Sequence, residues 1–271
     1  GPYGPKPAFD DLIQGAVAVP WLAHMANGCE PAYAPTAIVD RGVGLWAVGQ
    51  VNAALYHQSR TGQGQRIDMP MFEMMASFVL SDHMSGRTFV PDIGDAGYPR
   101  MLNSNRRPYS TKDGYVCVMI YTDQHWQAFF KALGREAEFN NDPRFASMAT
   151  RAENIAEIYG ELAELLTTRT TAEWLKLFDE ADIPAMPPHT LETLLEDKHL
   201  AKVGFFETVE HPSEGGLCNM AYPSAWSVTQ PKPSSLAPRL GEHSIEILQE
   251  LGYGNQQITA LVDSGATKSN T

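Results

Sequence analysis

Cysteine is nearly absent from this chain. Its three thiols in 271 residues, Cys29, Cys117 and Cys218, stand far apart, are odd in number and form no CxxC pair. That usage fits no disulfide framework and points to a reduced, cytoplasmic setting. Basic residues are also short: 20 Lys and Arg against 32 Asp and Glu leave a formal charge of −12. An acidic surface argues against general binding to nucleic acid or to an anionic membrane, since both need a basic footprint. The eight histidines include no HxH, HxxxH or HExxH spacing, so no metal site is expected. Long membrane-grade runs are missing too. Residues 12–29 and 42–59 carry no charge, but they contain Gln14, Pro20, His24 and Asn27 in one window and Gln50, Asn52 and His57 in the other. A bilayer would penalise those groups, so both windows read as helices buried in protein. There is no GxSxG elbow, no Walker A loop, and Gly42-Val-Gly44 lacks the third glycine of a dinucleotide fingerprint. The chain opens on Gly1-Pro2-Tyr3-Gly4, with neither Met nor a secretory signal, as expected of a tag scar, a processed end or a cut inside a longer chain.

What is present is globular. With 43% hydrophobic and 19% charged residues, the chain can build one large or two modest cores. Residues 8–26 predict a helix kinked near Pro20. Residues 41–58 are apolar almost all round, with glycines at 42, 44 and 49, which predicts a helix buried on every side. After the Gly62/Gly64 turn, Gln65 to Met69 predicts a short strand. Pro70 then starts a Met-rich helix through Phe72, Met75, Phe78 and Val79, a core pattern rather than a cofactor box. Residues 86–105 read as a loop or linker.

Arg107 to Ile120 predicts two strands joined by the Lys112-Asp113-Gly114 turn. Asp123 is expected to cap a helix whose stripe is Trp126, Phe129, Phe130 and Leu133. Ile155, Ile158, Leu162 and Leu165 form another stripe. Thr170-Thr171-Ala172-Glu173 is a capping box for a third helix, which carries Trp174 and Phe178. Ile183 to Pro188 leaves that module as an extended arm, and Thr190 restarts a short helix. The tail has a Pro-rich stretch over 229–238, then Leu240-Gly-Glu-His243 and an amphipathic helix to about Leu251. The organisation expected is a helical segment and linker (1–97), a compact α+β module (98–186) inserted in the other body, and a return linker with a C-terminal segment (187–271).

The most informative residue is Asp40, which closes Pro35-Thr36-Ala37-Ile38-Val39-Asp40 just before a long uncharged stretch. An aspartate there is expected to cap the helix N-terminus, where the dipole favours an ionised carboxylate. The wider pattern carries a family. Ala8-Phe9-Asp10, Asp40-Arg-Gly-Val-Gly, Arg60-Thr-Gly-Gln-Gly-Gln-Arg-Ile-Asp68, Tyr109-Ser-Thr-Lys-Asp-Gly-Tyr115, Asp142-Pro-Arg-Phe145, Ile183-Pro-Ala and Pro238-Arg-Leu-Gly-Glu-His243 follow one another along the whole chain. Each motif is weak, but their shared order resembles the class III CoA-transferases, the family of formyl-CoA and carnitine CoA-transferases.

That resemblance implies an α/β fold: part of a Rossmann-like large domain plus an inserted α+β small domain, with two subunits interlocked as linked rings. It also implies an N-terminal Rossmann-like portion that this chain lacks, needed for a complete site. Asp40 matches the family's catalytic aspartate, and Asp10 a second acidic position facing it. Phe9 and Met71 match positions that line CoA in relatives, with plain core packing as the alternative. Lys6 lies one place from a lysine that meets a CoA phosphate, and Arg41 follows the nucleophile where it could touch substrate. Arg106 and Arg107 read as a solvated pair, and His243 as structural. CoA would enter as a thioester substrate, with a carboxylic acid as acceptor and no permanently bound cofactor. The same fold hosts α-methylacyl-CoA racemases, which place a histidine where this chain has Phe9. A non-catalytic fragment, or one subunit of a split enzyme, is the further alternative.

Overall fold

The computed structural model describes residues 1–231 and 235–270. Four helices open the chain: α1 (Asp10–Ala16), α2 (Val19–Asn27), α3 (Ile38–Thr61) and α4 (Met71–His83). The single kinked helix expected over 8–26 is in fact two. Ala18 takes a left-handed backbone, φ 67°, that separates them, and Pro20 falls in the first turn of α2, where its missing N–H is harmless. α3 ends at Gly62, whose φ of 74° provides the left-handed cap. The strand expected over 65–69 does not form, and among the described residues no strand lies beside it to make a ladder. Pro70 precedes α4 as its N-cap, as expected.

α1, α3 and α4 meet on a small core of Ile13, Val17, Val39 and Met75. Gly42 faces Met75: a β-carbon at 42 would stand 3.4 Å from the Met75 sulfur, an ordinary van der Waals contact. Beyond that contact, α3 departs from the expected all-round burial. Val39 is its one buried residue, while Leu45, Tyr56 and Val48 are 78%, 67% and 60% exposed. The apolar pattern reports the surroundings in which α3 is stable, and this chain supplies neighbours chiefly at its N-terminal end.

A second core is built by β1 (Tyr109–Ser110), β2 (Tyr115–Val118), α5 (Asp123–Ala132), α6 (Glu136–Asn141), α7 (Met148–Glu153), α8 (Ile155–Leu166), α9 (Thr171–Glu180) and β3 (Ala185–Met186). The sheet order is β1-β2-β3, antiparallel throughout, with Tyr109 opposite Val116 and Cys117 opposite Met186. The arm expected after Ile183 is thus the third strand. Trp174 and Phe178 are fully buried and stack at 5.6 Å, and the Trp174 indole donates to the Leu166 carbonyl at 2.7 Å. A buried Trp is stable where its N–H is met in this way. The Thr170/Glu173 capping box of α9 forms as expected. Thr122, rather than Asp123, caps α5 by accepting from the His125 N–H, which leaves the Asp123 carboxylate to pair with the buried Arg151.

These elements lie within one compact unit, Gly1–Pro188; a second unit, His189–Thr271, follows. It contains α10 (Leu191–Leu195), α11 (Lys198–Lys202), the hairpin β4 (Phe206–His211) and β5 (Gly215–Met220), α12 (Ser244–Glu250) and α13 (Asn255–Asp263). Neither the hairpin nor α13 was expected from sequence. The Pro-rich stretch over 229–238 lies partly outside the described residues. The fold is mixed helix and sheet, and among the described residues every paired strand is antiparallel. No helix among them is long and apolar enough to cross a membrane.

The start of α3 corrects the reading of Asp40. Ala37 occupies the N-cap position and makes no side-chain cap, while Asp40 is the third helical residue. The cap comes from α1: Asp10 Oδ2 accepts from the N–H groups of Val39 at 2.9 Å and Asp40 at 3.0 Å. Partial burial of Asp10 opposes its charge, but bonds from Gln14, Asp40 and Val39 outweigh that and hold its pKa below 3.8. A depressed folded pKa stabilises fully above the unfolded value and is lost as pH falls through the folded one. We therefore expect Asp10→Ala to lower stability at neutral pH by about 1 kcal/mol. The gap to wild type should narrow once the medium is more acidic than the normal aspartate pKa. Urea unfolding of both proteins at neutral and acid pH checks this, and a gap that widens on acidification would contradict it.

Candidate active site

The site grows from one backbone feature, the N-terminus of α3. A helix start leaves its first N–H groups without intrahelical partners and carries a partial positive charge. Two carboxylates gather there. Asp10, the first residue of α1, takes the Val39 and Asp40 N–H groups through one oxygen. Its other oxygen accepts from Gln14 Nε2 at 2.5 Å. Gln14 is wholly buried, and its amide oxygen accepts from the Ala34 N–H at 2.9 Å. Gln14 therefore ties α1 to the strap before α3 and fixes the rotamer of Asp10 in one step.

Asp40 lies in the first turn of α3 and is exposed. Among the described residues its carboxylate makes no hydrogen bond or ion pair. Because Asp10 does the capping, the Asp40 side chain is released from the backbone and left exposed. Arg41 follows, also exposed; its N–H donates to the Ala37 carbonyl at 3.1 Å.

The other sequence candidates fall around this point unevenly. Phe9 immediately precedes Asp10 as the N-cap of α1, and at 67% exposed it is no core residue in this chain. Met71 opens α4 and packs, half-buried, against the Ile13–Met75 core. Lys6 holds its ammonium 4.7 Å from the centre of the Tyr3 ring, and that ring meets Phe72 edge-on at 5.4 Å. The strap bearing Lys6 is thereby anchored to the first turn of α4 by a cation–π and an aromatic contact. The structure joins Asp10 to the Asp40 backbone directly; it records no contact of Lys6, Phe9 or Arg41 with either carboxylate.

Gln14 is the residue that sequence reasoning passed over as a mere polar interruption. The available signal was its spacing: Asp10 and Gln14 are four apart, which places them on one helix face within bonding reach. Among the described residues, no group of three or more His, Cys, Asp or Glu side chains gathers as a metal site would require. Two cavities of about 220 Å³ are lined by residues between Tyr98 and Leu162, and neither includes Asp10 or Asp40. In this chain the carboxylate pair stands on an open face.

Comparison with known proteins places this geometry. A family model described as CoA-transferase family III matches residues 1–244. The formyl-CoA:oxalate CoA-transferase of Bradyrhizobium sp. (strain ORS 278) is 26% identical over 291 residues, covering 98% of this chain and 67% of its own length. The enzyme of that name from Escherichia coli O139:H28 is 26% identical over 288 residues, covering 98% and 68%. Among solved structures, a mutant form of the Mycobacterium tuberculosis protein Rv3272 superposes with a TM-score of 0.72 at 23% identity, over 90% of this chain and 63% of that one. A CAIB/BAIF family protein from Brucella suis does so with a TM-score of 0.66 at 26% identity, over 93% and 65%. The chain thus spans about two thirds of the length of the proteins it matches. With the family model matched over residues 1–244 and the same fold in the solved relatives, the chain belongs to CoA-transferase family III.

Proposed function

We propose that the complete protein moves CoA from an acyl-CoA thioester to a carboxylic acid, with Asp40 as the nucleophile. The observation that carries this reading is the division of labour at the α3 N-terminus: Asp10 takes the backbone donors, and Asp40 stays exposed with its carboxylate free. A carboxylate needs no general base near neutral pH. Attack on the thioester carbonyl gives a mixed anhydride and expels CoA thiolate. The thiolate returns to the Asp40 carbonyl, which releases the donor acid and leaves an aspartyl-CoA thioester. The acceptor carboxylate then attacks that thioester, forming a second anhydride and freeing the thiolate again. Attack of the thiolate on the acceptor's acyl carbon completes the new acyl-CoA and restores Asp40.

In this scheme Asp10 is a positioning residue that fixes the helix start, with orientation of the acyl group as its second task. Phe9 and Met71 offer apolar surface for the CoA arm, and Lys6 and Arg41 offer charge for its phosphates or for the substrate acid. Anhydrides hydrolyse readily, so the working site must exclude water. The open face seen in this chain therefore calls for further cover. We assign that cover to the remaining third of a full-length family member and to a second subunit interlocked with the first. The exposed apolar side chains of α3, Leu45, Val48, Leu55 and Tyr56 among them, support such an assignment. The division into large-domain segments 1–97 and 187–271 around a small domain 98–186 belongs to the same proposal.

Asp40→Ala should abolish transfer in the complete protein while leaving stability nearly unchanged, because Asp40 does not supply the cap. Asp40→Asn should behave alike. Steady-state transfer and thermal melts of both variants test this; transfer by the Asn form at the wild-type rate rules out covalent catalysis at Asp40.

The racemase reading rests on the shared family, and Phe9 weighs against it, since a phenyl ring exchanges no proton. A 2-methylacyl-CoA incubated with the complete protein in deuterated water should gain no deuterium at its α-carbon at a catalytic rate. Rapid wash-in would reverse the ranking.

Residues 1–271 alone should bind CoA poorly, transfer nothing and self-associate through the apolar face of α3. Calorimetric titration of CoA, with and without the upstream segment supplied in trans, and light scattering measure all three. Micromolar binding with turnover by a stable monomer would show that the segment is an enzyme by itself.

A further inference from the structure

Arg100 occupies an unusual position for a cation. It is half-buried, and among the described residues no carboxylate lies within ion-pair distance of it. Its neighbours are neutral and soft. Nε donates to the Tyr159 hydroxyl at 3.4 Å, one terminal nitrogen faces the Met119 sulfur at 3.3 Å, and the guanidinium stands 5.1 Å from the centre of the Tyr121 ring. Tyr98 is a further side-chain hydrogen-bond partner. A guanidinium has five donors in a planar fork, and none of these partners is a carboxylate that could engage two of them at once. The cost of partial burial at Arg100 is outweighed by bonds to Tyr159 and Tyr98, which keep the guanidinium charged, with no counter-charge beside it among the described residues.

The space beside Arg100 has the shape and lining to receive one. A cavity of about 220 Å³ is bordered by Tyr98, Arg100, Tyr121, Trp126, Ile155 and Tyr159. It is smaller than the pockets of ~300–1,000 Å³ that take drug-sized ligands, a size suited to a small ligand. Apart from the arginines and the tyrosine hydroxyls, its wall is aromatic and aliphatic. Arg151 also borders the cavity, but its charge is met by Asp123 and it donates to the Phe145 carbonyl at 3.4 Å. Arg151 is therefore structural, and Arg100, which also borders the second cavity beside Arg106 and Arg107, is the lining cation of this cavity without a counter-charge among the described residues.

We propose that this cavity is a binding site for a small carboxylate with an aromatic or branched apolar body. The carboxylate would take the Arg100 fork in a charge-assisted pair, and the body would lie against Tyr121, Trp126 and Ile155. The site stands on the module of β1–β3 and α5–α9, uses neither Asp40 nor CoA, and holds or fails independently of the transfer reaction.

Isothermal titration calorimetry of the whole chain with phenylacetate, phenylacetamide and inorganic phosphate tests it. Phenylacetate should bind saturably in the millimolar range or tighter. The amide, which keeps the ring and loses the charge, should bind at least tenfold more weakly, and so should phosphate, which keeps charge and loses the apolar body. Arg100→Gln should weaken phenylacetate at least tenfold with an unchanged circular dichroism spectrum. Arg100→Lys should keep part of the affinity, since it retains charge but not the fork. Equal binding of acid and amide, phosphate binding as well as phenylacetate, or undiminished binding by folded Arg100→Gln would each overturn the proposal, as would the absence of saturable phenylacetate binding. Should Arg100→Gln fail to fold, the acid–amide comparison on the wild-type chain decides.

Discussion

The bond from Asp10 to the start of α3 is the constraint around which the first part of the molecule is arranged. One carboxylate oxygen takes two backbone N–H groups some thirty residues away in sequence. A helix start needs acceptors, and its dipole rewards negative charge. Most helices find the acceptor in their own N-cap residue, but Ala37 has none to offer. The vacancy is filled from α1, so the register between α1 and α3 is set by a charged hydrogen bond. Gln14 then reinforces it from beneath, tying Asp10 to the backbone at Ala34. The core of Ile13, Val17, Val39 and Met75 closes around the same junction. Polar and apolar contacts specify one arrangement, the mutual consistency expected of a well-determined fold.

That arrangement has a chemical consequence. Two carboxylates at one helix terminus would ordinarily compete for the same donors. Here the competition is resolved by position, with Asp10 bonded to the helix start and Asp40, in the first turn of α3, left exposed. A carboxylate occupied in capping is a poor nucleophile, because attack would have to break its bonds first. Moving the cap to another helix removes that conflict.

The two cores differ in completeness. The module around Trp174 and Phe178 buries its aromatics in one cluster, satisfies its buried indole and caps α5, α7 and α9 with side chains. The helical segment around Met75 has a small core and leaves most of α3 bare. Burying apolar surface stabilises by roughly 25 cal/mol per Å², so a long bare apolar helix is far from its most favourable surroundings. The cover proposed above, a further segment and a second subunit, would supply the neighbours that α3 lacks in this chain.

Three helices of the aromatic module, α5, α8 and α9, were legible because their signals are local, whereas the six-residue α6 and α7 are too short to show a period and were not anticipated. Thr170 and Glu173 form the capping box that their spacing announces, and the Trp126, Phe129 and Ile158, Leu162 stripes face inward at helical period. The β1–β2 hairpin was legible for the same reason, through its Asp113-Gly114 turn. The break at Ala18 was not, since a left-handed alanine is imposed by its surroundings and no residue type marks it. The third strand and the β4–β5 hairpin were missed because strand pairing depends on a partner distant or weakly patterned in sequence. Of the candidate site, motif order alone singled out Asp10 and Asp40 as a pair worth watching. Sequence determined that they exist, that α3 begins beside one of them, and that its face is apolar. Only the tertiary structure decided which carboxylate caps and which stays free, and that Gln14 holds the choice in place. A cap is a hydrogen bond through space, and its donor and acceptor need share no more of the sequence than the fold brings together.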